Sequence, residues 1–391
     1  MHTTGEPTRI IYDGFPHLTG TLLEQRDQAK RSFDHIRRMI MLEPRGHFDM
    51  YGALLRPHTE LTESGEAHMG VLFMHNDGFS TMCGHATIAL GRFLVDSHDP
   101  SIFSKRTELE FNPEDRTVEV NLHAPCGLIK VTVPVNEDGS ESDPQRPVSF
   151  ISTPSYIAAK DVSIAIVNEC RWPELPQHQH SVKASLAFGG AFYCIVSVEE
   201  LGFSTLCNPP LEAISTAVLR LLAAIRSDES ILERLRHPES PGLQFLYGVI
   251  VADAQIGGPL NHGVNEETGL CFFADHQIDR SPTGSGVAAR MALGYGLGSG
   301  QEATLKMEEK RTYHSLVSHA LKKECPFVGT LLSEEEVELP HLLHENAKRP
   351  AVRVQVEGYA FYTGSSTMIV EPADPLGTDG FSMRDLGMHS S

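Results

Sequence analysis

Apolar runs with strand-like composition dominate the chain. "VLFMH" (71–75), "RTVEVNL" (116–122) and "LIKVTVPV" (128–135) read as β, as do "AFYCIVSV" (191–198), "FLYGVIVAD" (245–253), "VRVQVEG" (352–358) and "YAFYTGSSTMIV" (359–370). Helical spacing is rarer. Over 22–40 it sets Leu22, Arg26, Ala29, Phe33, Ile36 and Ile40 on one face, and over 210–226 it does the same for Leu211, Ile214, Val218, Leu222 and Ile225. The polar "NEDGSESDPQRP" (136–147) reads as a surface loop near a domain boundary, and "SEEEVELP" (333–340) as a solvated acidic face. The 391 residues exceed a typical single core, which predicts two domains. The expected fold class is α+β and β-rich, in two halves, each with one helix that follows a special turn.

Those two turns are the strongest local signal. In "STMCGHATIALGRF" (80–93) a helical stripe of Ala86, Leu90 and Phe93 begins directly after Cys83, Gly84 and His85. At 283 − 83 = 200 positions further on, "SPTGSGVAARMAL" (281–293) repeats the design with Thr283, Gly284 and Ser285 ahead of Val287, Ala288, Met291 and Ala292. Pro282 resists any earlier helix start. The first N–H groups of a helix lack internal partners and carry the positive end of its dipole, so two such ends across a cleft suit one carboxylate. Glycine at 84 and 284 lets a ligand approach the backbone closely. A cysteine at a helix N-terminus has a stabilised thiolate, so Cys83 is a candidate base. Taken singly, each turn reads equally well as an ordinary cap; the pairing is what points to chemistry.

Charge and cysteines narrow the class. Lys+Arg 32 against Asp+Glu 51 gives −19, which argues against nucleic acid or an anionic membrane as partner. No apolar run approaches the roughly 20 residues of a membrane span, and no signal peptide is visible at the N-terminus. Seven scattered cysteines without a CxxC pair fit reduced thiols in a cytoplasm-like compartment, with neither a disulfide framework nor a zinc site. "GYGLGSG" (294–300) follows a helix instead of opening one, so it reads as helix termination and not as a dinucleotide loop. "HQH" (178–180) and "HLLH" (341–344) read as surface histidines. No Walker loop or Ser-His-Asp signature is present.

Nearly the whole chain resembles the proline racemase family, which includes 4-hydroxyproline epimerases and trans-3-hydroxy-L-proline dehydratases. The resemblance rests on "GEPTRI" (5–10), "LEPRGHFDMYGALL" (42–55), "MCGHATIA" (82–89), "FGGAFYCIV" (188–196), "DRSPTGSG" (279–286), "VEGYAFYTG" and "DPLGTDGF", in that order. The family usually carries several more strand residues ahead of "HTTGEP", which would make the first strand short here. The resemblance implies a two-lobed fold similar to diaminopimelate epimerase, each lobe a barrel-like sheet around a central helix, with the active site in the interlobe cleft. The expected lobes are residues 1–157 plus 356–391, and residues 158–355. It further implies no cofactor, no metal, and a small-molecule substrate such as hydroxyproline. Dimers are common in the family, which leaves a homodimer open.

Racemases of the family carry a cysteine in both turns, one per face of the substrate Cα. Cys83 matches the first, whereas Thr283 stands where the second would be, as in the trans-3-hydroxy-L-proline dehydratases. An alcohol is a far weaker acid than a thiol, so Thr283 is expected to hydrogen-bond substrate without exchanging protons. The expected reaction is loss of water from trans-3-hydroxy-L-proline to Δ1-pyrroline-2-carboxylate. In these terms Cys83 is the base, His85 assists the departing hydroxyl, and backbone N–H groups near Gly84, His85, Gly284 and Ser285 hold the carboxylate. Asp279 matches a family aspartate at the ring nitrogen; its other reading is a cap for the following turn. Tyr51 and Phe273 fall where the family places aromatic walls, with plain core packing as their other reading. A 4-hydroxyproline epimerase or proline racemase that tolerates threonine is the alternative enzyme. A non-catalytic binder of proline-like amino acids is the alternative of a different class.

Overall fold

The computed structural model describes residues 1–237, 243–253, 265–296, 305–321, 324–339 and 347–383. The chain divides into two compact units, residues 1–150 with 358–391, and residues 151–357.

In the first unit, Gly52–Arg56 pairs in parallel with Arg9–Ile11 and antiparallel with Met69–Met74. Met69–Met74 runs parallel to Thr117–Ala124, which forms a hairpin with Gly127–Pro134. Alternation along Thr117–Ala124 buries Val118, Val120 and Leu122 while Glu119 faces solvent. The helix Gly84–Asp96 has ten of its thirteen residues buried, so it is a core element. Gly91 is what lets it lie against the hairpin: a Cβ there would sit 2.5 Å from Val131 Cγ1 and 3.1 Å from Val133 Cγ2. The C-terminal strand Ala360–Phe361 pairs with His2–Thr3.

The second unit has a meander of Tyr156–Ala165, Ser181–Phe188 and Phe192–Ser197. Phe192–Ser197 then runs parallel to Leu246–Asp253, which pairs antiparallel with Glu266–Phe273. Both strands of that parallel pair are apolar along most of their length, as burial on both faces requires. Lys310–His314 pairs with Phe327–Leu339, which forms a long ladder with Ala347–Gly358. The buried helix Gly284–Tyr295 packs on Ser181–Phe188, where Gly189 comes close to its first turn.

Several expectations are modified. The single helix over 22–40 is two helices, Leu22–Ser32 and Asp34–Met41, with the break at Phe33 (φ −131°, ψ 18°). The break lets Arg37 turn inward, where its guanidinium donates to the carbonyls of His75 and Asn76 at 2.6 Å each and pairs with Asp34. Helix Leu211–Ser227 buries Ile214, Val218 and Ile225 as the spacing predicts, but Leu211 is exposed and Leu221, not Leu222, is fully buried. The proposed strand at 359–370 is limited to Ala360–Phe361. "YTGSST" beyond it has no apolar alternation to bury, and residues 362–367 are exposed. The acidic segment is solvated over 333–338 as expected, yet it is strand, within Phe327–Leu339: Glu335 and Glu336 pair across the ladder with Arg353 and Lys348, and residue 340 lies outside the described residues. Gly296 ends the second buried helix in the left-handed conformation (φ 70°). Residues 297–300 and the "HLLH" segment lie outside the described residues. His178 and His180 are exposed.

Candidate active site

The first turn is built by local rules. Cys83 is the N-cap of Gly84–Asp96, with extended backbone (φ −148°, ψ 112°), and its Sγ accepts from Ala86 N at 3.4 Å. The side chain is nearly buried. The His85 imidazole lies beside it, with Nδ1 3.2 Å and Nε2 3.5 Å from Sγ. Burial pushes the His85 pKa down to about 3, so the ring is neutral at neutral pH. The Pro7 backbone, which favours the charged ring, offsets that shift only in part. The Thr3 hydroxyl anchors the same residue by donating to the His85 carbonyl at 2.9 Å. Tyr51 is fully buried, with its ring edge on against His85 (centroids 4.7 Å apart, 74° between planes) and its hydroxyl 2.5 Å from Ser80 Oγ.

The second turn looks alike in sequence and differs in structure. Thr283 precedes Gly284–Tyr295 with φ 64° and ψ 90°, a conformation that a β-branched residue adopts only under constraint. Three bonds supply the constraint. Thr283 Oγ1 donates to Asp279 Oδ2 at 2.8 Å. Thr283 N donates to Ser281 Oγ at 3.2 Å. Buried Arg290 donates to the Pro282 carbonyl at 2.8 Å while its other nitrogen pairs with Glu267 at 3.0 Å. Thr283 therefore makes no side-chain cap. Asp279 instead braces the turn ahead of the helix, since its Oδ1 accepts from Ser281 N at 2.8 Å. Burial raises the Asp279 pKa to about 6, against the pull of the hydrogen bonds from Ser281 and Thr283.

The backbone N–H groups of Gly84, His85, Gly284 and Ser285 lie in first turns, where helix geometry gives them no acceptor. Each turn thus presents two adjacent donors to an anion. Phe273 is not in the second turn itself; its ring stacks on Tyr247 (5.6 Å), which meets Tyr193 edge on (5.8 Å), and the Tyr193 hydroxyl lies 2.7 Å from Ser285 Oγ.

Within the first unit the structure thus gathers Cys83, Gly84, His85 and Tyr51; within the second it gathers Asp279, Thr283, Gly284 and Ser285. Sequence reasoning missed Arg37, Ser281, Tyr193 and Arg290. Tyr193 lies inside the quoted "FGGAFYCIV" segment, but its spacing matches any buried strand residue. Arg290 is a charged residue on a buried helix face, which is a signal of a paired internal charge. No group of three or more residues suited to holding a metal ion occurs among the described residues.

Comparison with known proteins decides the family. The proline racemase family matches residues 1–382. The chain belongs to the proline racemase family. The Mus musculus protein named trans-L-3-hydroxyproline dehydratase is 39% identical over 98% of this chain and 93% of its own. The Homo sapiens trans-3-hydroxy-L-proline dehydratase is 38% identical over the same shares. The Burkholderia ambifaria protein of that name is 34% identical over 98% of this chain and 97% of its own. Among solved structures, a probable proline racemase from Agrobacterium radiobacter with bound carbonate has a TM-score of 0.73 at 22% identity, covering 98% of this chain and 95% of that one. A hydroxyproline epimerase from Agrobacterium vitis with bound trans-4-hydroxy-L-proline has a TM-score of 0.72 at 22% identity, covering 98% and 93%. These structural likenesses establish the fold, which is mixed α+β, sheet-rich and proline racemase-like. No helix among the described residues is long and apolar enough to cross a membrane.

Proposed function

We propose that this protein is a hydro-lyase that converts trans-3-hydroxy-L-proline to Δ1-pyrroline-2-carboxylate without a cofactor. One observation carries the reading: the first turn holds a thiol against a neutral imidazole, whereas the second holds a hydroxyl whose proton is given to Asp279. The relatives named for this dehydration, 34–39% identical over nearly the full chain, support it.

In trans-3-hydroxy-L-proline the Cα hydrogen and the 3-hydroxyl both lie opposite the carboxylate, so they share one face of the ring. A single group on that face is sufficient. Cys83 as thiolate takes the Cα proton. The Cα–H electron pair becomes the Cα–Cβ double bond as the C–O bond breaks, and the Cys83 thiol returns the proton to the departing hydroxyl. Water leaves, the thiolate is restored, and the enamine tautomerises to the imine. The His85 imidazole, 3.2 Å from Sγ, orients the sulfur and assists the departing hydroxyl. Backbone N–H groups of Gly84, His85, Gly284 and Ser285 bind the carboxylate and the charge that builds on it, the kind of donor whose loss costs about 2.7–4 kcal/mol. Asp279 takes the ring nitrogen, Thr283 accepts from substrate, and Tyr51 and Phe273 bound the pyrrolidine.

The test is product analysis by mass spectrometry in deuterated water with trans-3-hydroxy-L-proline, trans-4-hydroxy-L-proline and L-proline as separate substrates. Loss of water from the first, with no inversion of the others, is the expected result. Deuterium at Cα with inversion of the latter two would instead identify an epimerase or racemase. Binding without turnover would identify a non-catalytic binder.

A further inference from the structure

Tyr193 and Ser285 are both fully enclosed, and their hydroxyl oxygens lie 2.7 Å apart. Two hydroxyls carry two protons. One proton is used in the bond between them. Neither oxygen has another partner among the described residues, so the pair holds one O–H donor beyond what the protein uses. A buried donor left without an acceptor costs about 1–3 kcal/mol, which makes a ligand acceptor the natural complement.

Position decides which oxygen offers that proton. Ser285 is the second residue of the Gly284–Tyr295 helix, next to the main-chain donors of the second turn. Tyr193 reaches it from the strand Phe192–Ser197, with its ring edge against Tyr247. We propose that Tyr193 is a positioning residue: it donates its phenolic proton to Ser285 Oγ and so turns the Ser285 hydroxyl proton toward the substrate carboxylate. The inference rests on the carboxylate site proposed above and adds to it a side-chain donor with a fixed direction. Burial also raises the Tyr193 pKa well above its ordinary value, so the phenol keeps its proton across the working range.

The test uses pyrrole-2-carboxylate, an analogue planar at the carboxylate-bearing carbon, with binding to the full chain measured by calorimetry beside steady-state kinetics on trans-3-hydroxy-L-proline. Ser285→Ala removes a hydrogen bond to a charged group and is expected to weaken analogue binding about 10-fold or more. Tyr193→Phe keeps the ring and its packing and removes only the orienting bond. It is expected to weaken binding about 2- to 10-fold and to raise KM with kcat little changed. The double variant is expected to match Ser285→Ala alone. If Tyr193→Phe leaves analogue affinity unchanged, or weakens it by the same factor when Ser285 is already alanine, Tyr193 is a packing residue and the proposal is overturned. Failure of the native protein to bind the analogue overturns it too. A native protein that binds the analogue but releases no water from substrate overturns the reaction instead, and the affinities of the variants still decide the role of Tyr193.

Discussion

Thr283 gives its hydroxyl proton to Asp279 at 2.8 Å. That one bond separates the two turns chemically. With that proton on Asp279, Thr283 Oγ1 has only lone pairs left to offer, whereas Cys83 carries an ionisable thiol. Replacing sulfur by oxygen lowers the acidity of the second turn, and the bond to Asp279 then commits the proton elsewhere. In the proposed reaction a group so bonded would steady a substrate donor and would return no proton to the second face of Cα.

Thr283→Cys tests this account. The introduced thiol would lie beside the Asp279 carboxylate, and a neighbouring like charge disfavours the thiolate. It should therefore act as an acid, delivering a proton to a Cα from which Cys83 has removed one. The expected outcome is slow inversion of trans-4-hydroxy-L-proline with solvent deuterium at Cα, followed by polarimetry and mass spectrometry. A folded variant that dehydrates the 3-hydroxy substrate yet shows no exchange in the 4-hydroxy one would refute the division of labour between the faces.

Cys83→Ser should lower kcat by at least about 10²–10⁴, the contribution typical of a positioned base. The side chain is nearly buried and accepts from Ala86 N, a bond that a serine oxygen can also accept, so the helix start should survive. The thermal midpoint is expected to stay within a few degrees and pyrrole-2-carboxylate should still bind. Retention of more than a tenth of the native kcat would remove Cys83 from the role of base.

Asp279 sets an expected pH dependence. Its pKa is raised to about 6 by burial, while His85 is held near 3, so Asp279 is expected to give a limb near pH 6 in kcat/KM. The ionised carboxylate is the form that accepts from Thr283 and from the ring nitrogen, so kcat/KM should rise with pH through about 6. For stability the sign is opposite to that of an ordinary paired carboxylate. The folded pKa lies above the unfolded value of 3.8, so between about 4 and 6 the native state binds more protons than the unfolded state. The Asp279 contribution to stability therefore falls as pH rises across that window. Asp279→Asn should flatten both dependences, as read from kinetic profiles and from thermal midpoints at pH 4.5 and 7. Persistence of the kinetic limb near pH 6 in that variant would assign it to another group.

Arg290 ties the second turn to the sheet. It is buried, bonds the Pro282 carbonyl and pairs with Glu267, which also lies 3.7 Å from Arg311. Removing one partner of a buried pair costs about 3–5 kcal/mol, and Arg311 should keep Arg290→Met at the lower end. Denaturant midpoints of the native and variant proteins measure this. A loss below about 1 kcal/mol would show that the pair does little beyond satisfying its own desolvation.

How much of this was legible beforehand depends on the range of the interaction. The strand pattern, the two buried helices and the turns ahead of them follow from local periodicity and from Gly, Pro and Cys placement. Phe33 was misread because a helical stripe continues in register across a kink, and periodicity does not sense a change of axis. The segment after Phe361 was misread because aromatic and β-branched residues favour a strand, yet no strand among the described residues pairs with it. Asp279 had two readings, ring-nitrogen partner and cap for the following turn; its bond from Ser281 N lies within that turn and leaves the ring-nitrogen reading to the proposed reaction. Tyr193 and Arg290 act through contacts 92 and 23 residues away along the chain, to Ser285 and Glu267, and no local pattern encodes such partners.

Gly189 makes the last case. In "FGGAF" it permits the chain to pass over the first turn of the Gly284–Tyr295 helix so closely that a Cβ would fall 2.1 Å from the Ser285 carbonyl oxygen and 2.6 Å from Ala289 N. Both obstacles are backbone, so no side-chain rotation relieves them. Gly189→Ala must push the helix and the strand end apart, and overpacking of this kind costs about 1–3 kcal/mol or more. The displaced element carries Gly284 and Ser285, so the carboxylate donors move with it. The expected result is a lower thermal midpoint together with weaker binding of pyrrole-2-carboxylate. Gly91→Ala, which meets the Val131 side chain instead, should lose stability while changing analogue affinity less. If Gly189→Ala proves as stable and as tight as the native protein, the close approach of this loop to the second turn is not what holds the donors in place.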